Sequence, residues 1–285
     1  MSNTIFIFQN LSYNLFFIKE IFMQEQKRFL LDEARAEEPV KNTLRLAWEF
    51  IVLNKNFTLT AMSLLLLLNI LTIFLGLLTM VISGILSLAI QIYFSKLVYY
   101  AQDIEMFVDE IKASKVEVAV SKNAFVATGA YFAWIILFFA LLFTLVIVVQ
   151  SYGFSLENVK MVEELIPIAQ TLFLPISILA LLLSYINPLV HSNIALAQDF
   201  KGGFLATFSI FSPALWQNSF KNGYPKYIAM IMGLIFLATL LLGIFINLPV
   251  INILANFIII VMMYGYMVLI SVVSMMGRRM VESQF

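Results

Sequence analysis

The stretch Tyr227 to Gly277, YIAMIMGLIFLATLLLGIFINLPVINILANFIIIVMMYGYMVLISVVSMMG, runs for 51 residues without an Asp, Glu, Lys or Arg. As one straight helix it would extend about 76 Å at about 1.5 Å per residue, against the roughly 30 Å of hydrocarbon that a bilayer presents. It must fold back on itself. The turn is expected at Asn247-Leu248-Pro249-Val250-Ile251-Asn252, because proline restricts the residue before it and asparagine tolerates turn geometry.

Three further stretches carry no charged residue: Phe57 to Ser95, Asn123 to Leu156 and Leu165 to Gln198. The first is 39 residues long and must also fold back, with a softer break expected in Thr79 to Gly84. The map is therefore six spans, near 57–77, 81–101, 124–150, 165–190, 226–247 and 251–276. The runs are continuously apolar. A transmembrane barrel strand would instead alternate lipid-facing apolar with lumen-facing polar residues over about ten positions. The fold class is all-α, a polytopic membrane helical bundle: an interfacial segment over 1–56, a transmembrane domain over 57–277 and a short tail over 278–285.

Composition agrees with lipid as the main solvent. Of the 285 residues 62% are apolar and 12% charged, and the mean hydropathy is +0.95, outside the range of soluble globular chains. Lys plus Arg number 17 and Asp plus Glu number 17, so no basic surface points to nucleic acid. The absence of cysteine removes disulfide scaffolds, zinc–thiolate sites, iron–sulfur clusters and catalytic thiols. Met1 to Phe22 hold apolar clusters interrupted by Asn10, Ser12 and Asn14, with no basic residue ahead of them. A cleaved signal peptide is not expected. Either this is an interfacial segment or Met23 is the true initiator.

Orientation follows from the positive residues. Seven precede the first span, four lie in Lys96 to Lys122, three in Lys201 to Lys226, and Arg278 and Arg279 follow the last span. Only Lys160 falls on the other side, among Glu157, Glu163 and Glu164. By the positive-inside rule both termini and the two longer loops of this multi-pass chain are expected in the cytoplasm. Tyr99, Tyr100, Tyr131, Trp134, Tyr152, Tyr185 and Tyr227 lie near the span ends, where they form interfacial belts or pack between helices.

Ahead of the first span, Leu44, Trp48 and Ile51 share a helical stripe, with Leu46, Phe50 and Leu53 beside it and Lys41, Arg45 and Glu49 opposite; the spacing predicts an amphipathic helix. Ahead of the fifth span, Phe204, Phe208, Phe211 and Leu215 repeat the pattern, with Trp216 following Pro213. The two halves share an order: amphipathic stretch with tryptophan, span, short outer turn, span. This predicts a weak internal duplication. Leu46-Ala47-Trp48 with Asn54 and Asn56, and Ala214-Leu215-Trp216 with Asn218 and Asn222, resemble the layout of uncharacterised six-span bacterial membrane proteins, namely the YciC-like group and the membrane domain attached to some glycerophosphodiester phosphodiesterases. The resemblance covers Val40 to Val281 and implies a non-catalytic inner-membrane protein, since in those phosphodiesterases the chemistry belongs to a separate soluble domain.

No charge lies in the core of any expected span. A charge there costs at least roughly 2.5 to 3.5 kcal/mol and is usually kept for ion or proton movement, so a carboxylate relay, an antiporter site and a lysine-bound chromophore are not expected. Lys96 is expected to snorkel to the interface. His191, the one imidazole, lies at the end of span four with no histidine or cysteine partner and no acid nearer in sequence than Asp199. It is expected to be interfacial and bonded to backbone or water. No nucleophile motif accompanies it, so no catalytic residue, metal site or cofactor site is assigned.

Asn69, Gln91, Gln170, Asn187, Asn247, Asn252 and Asn256 are expected to face the bundle as hydrogen-bonding glue or as a polar path. Gly129 and Ala133 form a small-xxx-small contact. Pro167, Pro175 and Pro188 fall in span four, where the middle one would kink the helix for a gate or for packing. In the loop from Gln102 to Lys122, Ile104, Phe107, Val108 and Ile111 share a helical side, suited to the membrane surface or to docking a soluble partner.

The resulting expectation is a non-enzymatic integral membrane protein with an accessory, assembly or envelope role, its partners being membrane lipids and other membrane proteins. The alternative is the membrane subunit of an ABC-type exporter, which would work with a separate soluble ATPase docked on Phe107 and Ile111. Against the exporter stands the short Asn247 to Asn252 turn, where such proteins usually carry a longer outer segment between spans five and six.

Overall fold

The computed structural model describes residues 30–36, 38–151, 166–246 and 255–282. Among the described residues every regular element is helical. In chain order these are α1 (Leu30–Ala36), α2 (Pro39–Leu53), α3 (Lys55–Leu75), α4 (Leu77–Tyr100), α5 (Ile104–Ala113), α6 (Val116–Ser151), α7 (Ile166–Leu196), α8 (Phe200–Thr207), a 3-10 turn (Phe208–Phe211), α9 (Pro213–Ser219), α10 (Tyr224–Ile246) and α11 (Ala255–Glu282). Helices α3, α4, α6, α7 and α11 are each long and apolar enough to cross a membrane. α10 makes a sixth when joined to α9, from which it is bent by 83°. The long helices coincide with the six expected spans. The Asn247 to Asn252 turn and the Glu157 to Glu164 loop lie outside the described residues, as do Met1 to Phe22.

The break in the first apolar run is at Gly76, ahead of the expected Thr79 to Gly84. Gly76 adopts φ +55°, a left-handed value that costs a residue without a Cβ little, and its N–H donates to the Thr72 carbonyl at 2.9 Å. Thr79 closes the turn by donating to the Gly76 carbonyl at 2.9 Å. A single residue thereby separates α3 from α4, and the two run as a hairpin in which Phe57 lies 5.1 Å from the Phe94 ring. Gly84 lies inside α4 instead, where its missing Cβ makes room for the Tyr131 ring.

Helix α11 is the axis. Residues from Met267 to Met276 are almost all buried, against α4, α7 and the two short helices α1 and α2. It continues past the expected tail boundary: residues 278–282 are its last turn, Met280 is buried, and Arg278 donates to Asn193 Oδ1 at 2.9 Å. Helix α1 is docked against this end, with Leu31 fully buried and the Arg35 guanidinium donating to the Arg279 carbonyl at 3.3 Å. Arg279 in turn lies 4.5 Å over the Tyr99 ring, an attraction between cation and ring face. These contacts gather the cations at one end, the basic pole.

Packing fades away from that pole. Within α3 beyond Leu68, within α6 beyond Ala133 and within α10 beyond Ile231, no described side chain is buried, and Thr79, Leu172 and Ile260 are isolated buried positions toward that end. Large apolar residues such as Phe74, Phe139, Phe143, Phe173 and Phe236 are exposed there, which suits lipid contact.

Helix α2 carries two apolar faces. Leu46, Ala47 and Phe50 are buried, whereas Trp48 on the expected stripe is 63% exposed. The second amphipathic stretch is not one helix. Ser212 caps α9 through the Leu215 N–H at 3.4 Å, Pro213 occupies its first turn, and the stretch splits into α8, the 3-10 turn and α9. Phe200, Phe204, Phe208 and Phe211 contact one another in sequence, with centroids 6.4, 5.2 and 6.5 Å apart. The two halves therefore share an order of elements, while their amphipathic stretches differ in build.

Gly129 makes its close contact with α8: a Cβ there would strike the backbone carbonyl of Phe200, and one on Gly203 would strike that of Val126. Backbone cannot yield as a flexible side chain can. Gly129→Val is expected to lower the thermal stability of the detergent-solubilised protein by about 1 to 3 kcal/mol through overpacking. Gly233→Ala, with nothing within 4 Å of the added atom, is expected to raise it by about 0.5 to 1 kcal/mol through helix propensity. Unfolding followed by circular dichroism checks both.

Candidate functional site: a neutral polar cleft between three helices

Ser87 and Gln91 are one turn apart on α4, and Ser184, Asn187 and His191 recur at three and four residues on α7, so each set shares one helix face. With Tyr131 and Trp134 of α6 they line a cleft of about 480 Å³. A second cavity of about 310 Å³ lies on the other side of α7, against α10 and α11, and shares Ser184 and Asn187 with the first. Most of its remaining lining is apolar, including Ile228, Ile231, Ile235, Phe236 and Ile270, with Thr239 and Tyr266 as polar exceptions.

Pro175 and Pro188 are both inside α7, which runs through them. Pro188 has no N–H to give the carbonyl of Ser184, four residues earlier. That carbonyl loses its helical partner at the wall common to the two cavities. Pro167 lies among residues whose side chains are not described.

His191 is buried in the bundle rather than exposed at a helix end. Helix α7 continues to Leu196, beyond the expected end near 190, and carries the imidazole inside the bundle, where it is 5% exposed. Its Nε2 lies 3.4 Å from Ser95 Oγ. Ser95 Oγ lies 3.5 Å from the Ser271 carbonyl, and Ser271 Oγ donates to the Met267 and Gln91 carbonyls at 2.7 and 3.1 Å. A polar thread thus links α4, α7 and α11. Its contacts to His191 are long, hence weak, and no carboxylate lies in it to orient the imidazole as a nucleophile's base would require. Among the described residues no three His, Cys, Asp or Glu side chains come together as a metal would need. The arrangement offers neutral donors and acceptors to a ligand's polar group.

The other expected polar residues divide. Gln91 and Asn187 face the cleft, while Asn69 is exposed on α3. The side chains of Gln170, Asn247, Asn252 and Asn256 lie outside those described. Lys96 does not simply snorkel: its Nζ donates to Asn123 Oδ1 at 2.9 Å, tying α4 to α6.

Other interhelical bonds come from residues the sequence did not single out for them. Thr43 pairs with the Tyr227 hydroxyl at 2.9 Å and Thr58 with that of Tyr264 at 3.3 Å. Asn54 caps α3 through the Phe57 N–H at 2.9 Å and donates to the carbonyls of Ile111 and Ser114, both at 2.8 Å. For the first two the sequence offers no signal beyond a threonine or tyrosine at a helical position.

The apolar side of α5 is turned inward. Phe107 and Ile111 are buried, Phe107 edge-on to Phe50 of α2 with centroids 5.1 Å apart. They form no exposed docking stripe. Nearby, burial pushes the Glu110 carboxyl above its ordinary range.

The chain matches no protein-family model, no curated protein and no solved structure. The resemblance drawn from Leu46-Ala47-Trp48 and Ala214-Leu215-Trp216 rests on those residues alone.

The natural absence of cysteine makes the cleft testable by single substitutions. Ser184→Cys, at an exposed position on the shared wall, is expected to react with a small methanethiosulfonate reagent at least about tenfold faster than Ser95→Cys or Ser192→Cys, which are buried, because access limits the rate. Equal rates at the three positions would mean that no cleft is open there.

Proposed function

We propose that this chain is a non-enzymatic integral protein of the bacterial cytoplasmic membrane, crossing it six times with both ends inside. It acts through contacts with lipids and other membrane proteins in an accessory, assembly or envelope-related role. The observation that carries this reading is the division of the bundle. Its packed half is built around neutral, mutually bonded polar side chains, and its far half leaves large apolar side chains such as Phe139, Phe173 and Phe236 uncovered. Lipid or an apolar partner satisfies such a surface, and water does not. The cleft lined by Gln91, Asn187 and His191 is suited to holding an uncharged hydrogen-bonding group, where binding needs orientation but no transfer of charge.

The positive residues support the orientation, since Arg35, Arg278 and Arg279 converge at one pole and the positive-inside rule assigns that pole to the cytoplasm. The exporter alternative loses its proposed docking residues, because Phe107 and Ile111 pack under α2. Purification in mild detergent, with identification of everything retained, tests the proposal. Phospholipid and membrane proteins are the expected company. A soluble nucleotide-binding protein recovered in fixed proportion would overturn it in favour of the exporter.

A further inference from the structure

At the basic pole, the corner between α1 and α2 faces the first turns of α10 across a groove of about 690 Å³. Arg35, Lys41 and Lys226 line it with a single described carboxylate, Glu38. Glu38 is engaged by Lys41, one turn away. Arg35 has one hydrogen bond, to the Arg279 carbonyl, and no acidic partner among the described residues. Lys226 is exposed and makes no ion pair among them. The charge of the described lining is therefore +3 − 1 = +2 at neutral pH.

Leu44, Met230, Val40 and Met280 give the lining its apolar part, and Asn222 and Tyr227 add uncharged polar side chains. The floor is fixed by the buried pair of Thr43 and Tyr227, 2.9 Å apart. Leu44 and Met230 are themselves exposed, and Trp48, one turn beyond Leu44 on α2, is exposed as well. The groove thus has cations on both walls, Arg35 and Lys41 from the α1–α2 corner and Lys226 from α10, with the apolar Leu44 and Met230 one turn further along α2 and α10 and an exposed tryptophan beside them, a residue type enriched at membrane surfaces.

We propose that this groove binds an anionic glycerophospholipid, its phosphate held by Arg35 and Lys226 and its acyl chains lying along Leu44 and Met230. The inference rests on the membrane reading above and adds a headgroup class and a place. Charge complementarity selects the anion, since a zwitterionic lipid brings a cation of its own into a site already positive. The apolar part of the lining selects a lipid over a free anion. A lysine or arginine near an anionic surface is worth about 1 kcal/mol, a factor of about five in affinity.

Native mass spectrometry of the full chain, offered phosphatidylglycerol and phosphatidylcholine together, tests this. The wild type is expected to retain phosphatidylglycerol in excess. Lys226→Gln, a change at an exposed position compatible with folding, is expected to lower that excess about fivefold, and Lys226→Arg is expected to keep it. Lys122→Gln, an exposed cation on α6 outside the groove, is expected to leave it unchanged. The proposal is overturned if the wild type shows no excess, if Lys226→Gln retains it, if Lys122→Gln loses as much, or if inorganic phosphate displaces the lipid and marks a free-anion site. Failure of the membrane reading would look different: a chain that retains no phospholipid of either class.

Discussion

The bundle depends on how closely its neighbours can approach α11. Hydrocarbon is as apolar as leucine, so helices in lipid gain little from burying apolar surface and associate through close van der Waals packing and interhelical hydrogen bonds. On α11 the residues that permit such approach recur every three positions: Ser271, Ser274 and Gly277, the two serines being fully buried. Ser271 reaches the Gln91 carbonyl of α4 at 3.1 Å. Gly277 receives the Tyr224 ring, which a Cβ would meet at 2.7 Å, and the Tyr224 hydroxyl then donates to the Tyr185 carbonyl of α7 at 2.8 Å. One seam of small residues therefore positions the start of α10, the middle of α7 and the inner half of α4.

The rest follows from the seam's location. It occupies the half of α11 nearest Arg278 and Arg279, so packing is dense at the basic pole and looser beyond it. The short helices α1, α2 and α5 reinforce the dense end, with Asn54 serving as helix cap and as clamp on the end of α5. The cleft lies between α4, α6 and α7, and at its wall Pro188 removes the helical partner of the Ser184 carbonyl. The polar groups most available to a ligand are thus found where packing ends, a general tendency of sites built between helices of a bundle.

Much of this was legible in the chain itself. Charge-free runs of 39 and 51 residues require hairpins, because the bilayer fixes helix length and leaves a transmembrane segment no other way to satisfy its backbone. The position of a turn inside such a run is harder to read. Gly76 and Gly84 look alike in sequence, and the conformation of one against the close ring packing of the other decides between them.

Periodicity identified an apolar face on α5 and could not say what covers it, because that depends on Phe50, which is 57 positions from Phe107. The burial of His191 is hard to read for the same kind of reason: it depends on where α7 ends, and no proline or glycine after His191 marks that end before Leu196. The pairing of Thr43 with Tyr227 joins residues 184 positions apart, a distance at which local patterns carry no information.

The most direct measurement for the whole account is the sidedness of single cysteines in intact cells, read with a membrane-impermeant maleimide. A cysteine replacing Lys160 should label from outside without permeabilisation, and cysteines replacing Lys115, Lys221 and Glu282 should label only once the membrane is opened. Labelling of any of those three from outside, or protection of the first, would contradict a six-span bundle with its basic pole in the cytoplasm.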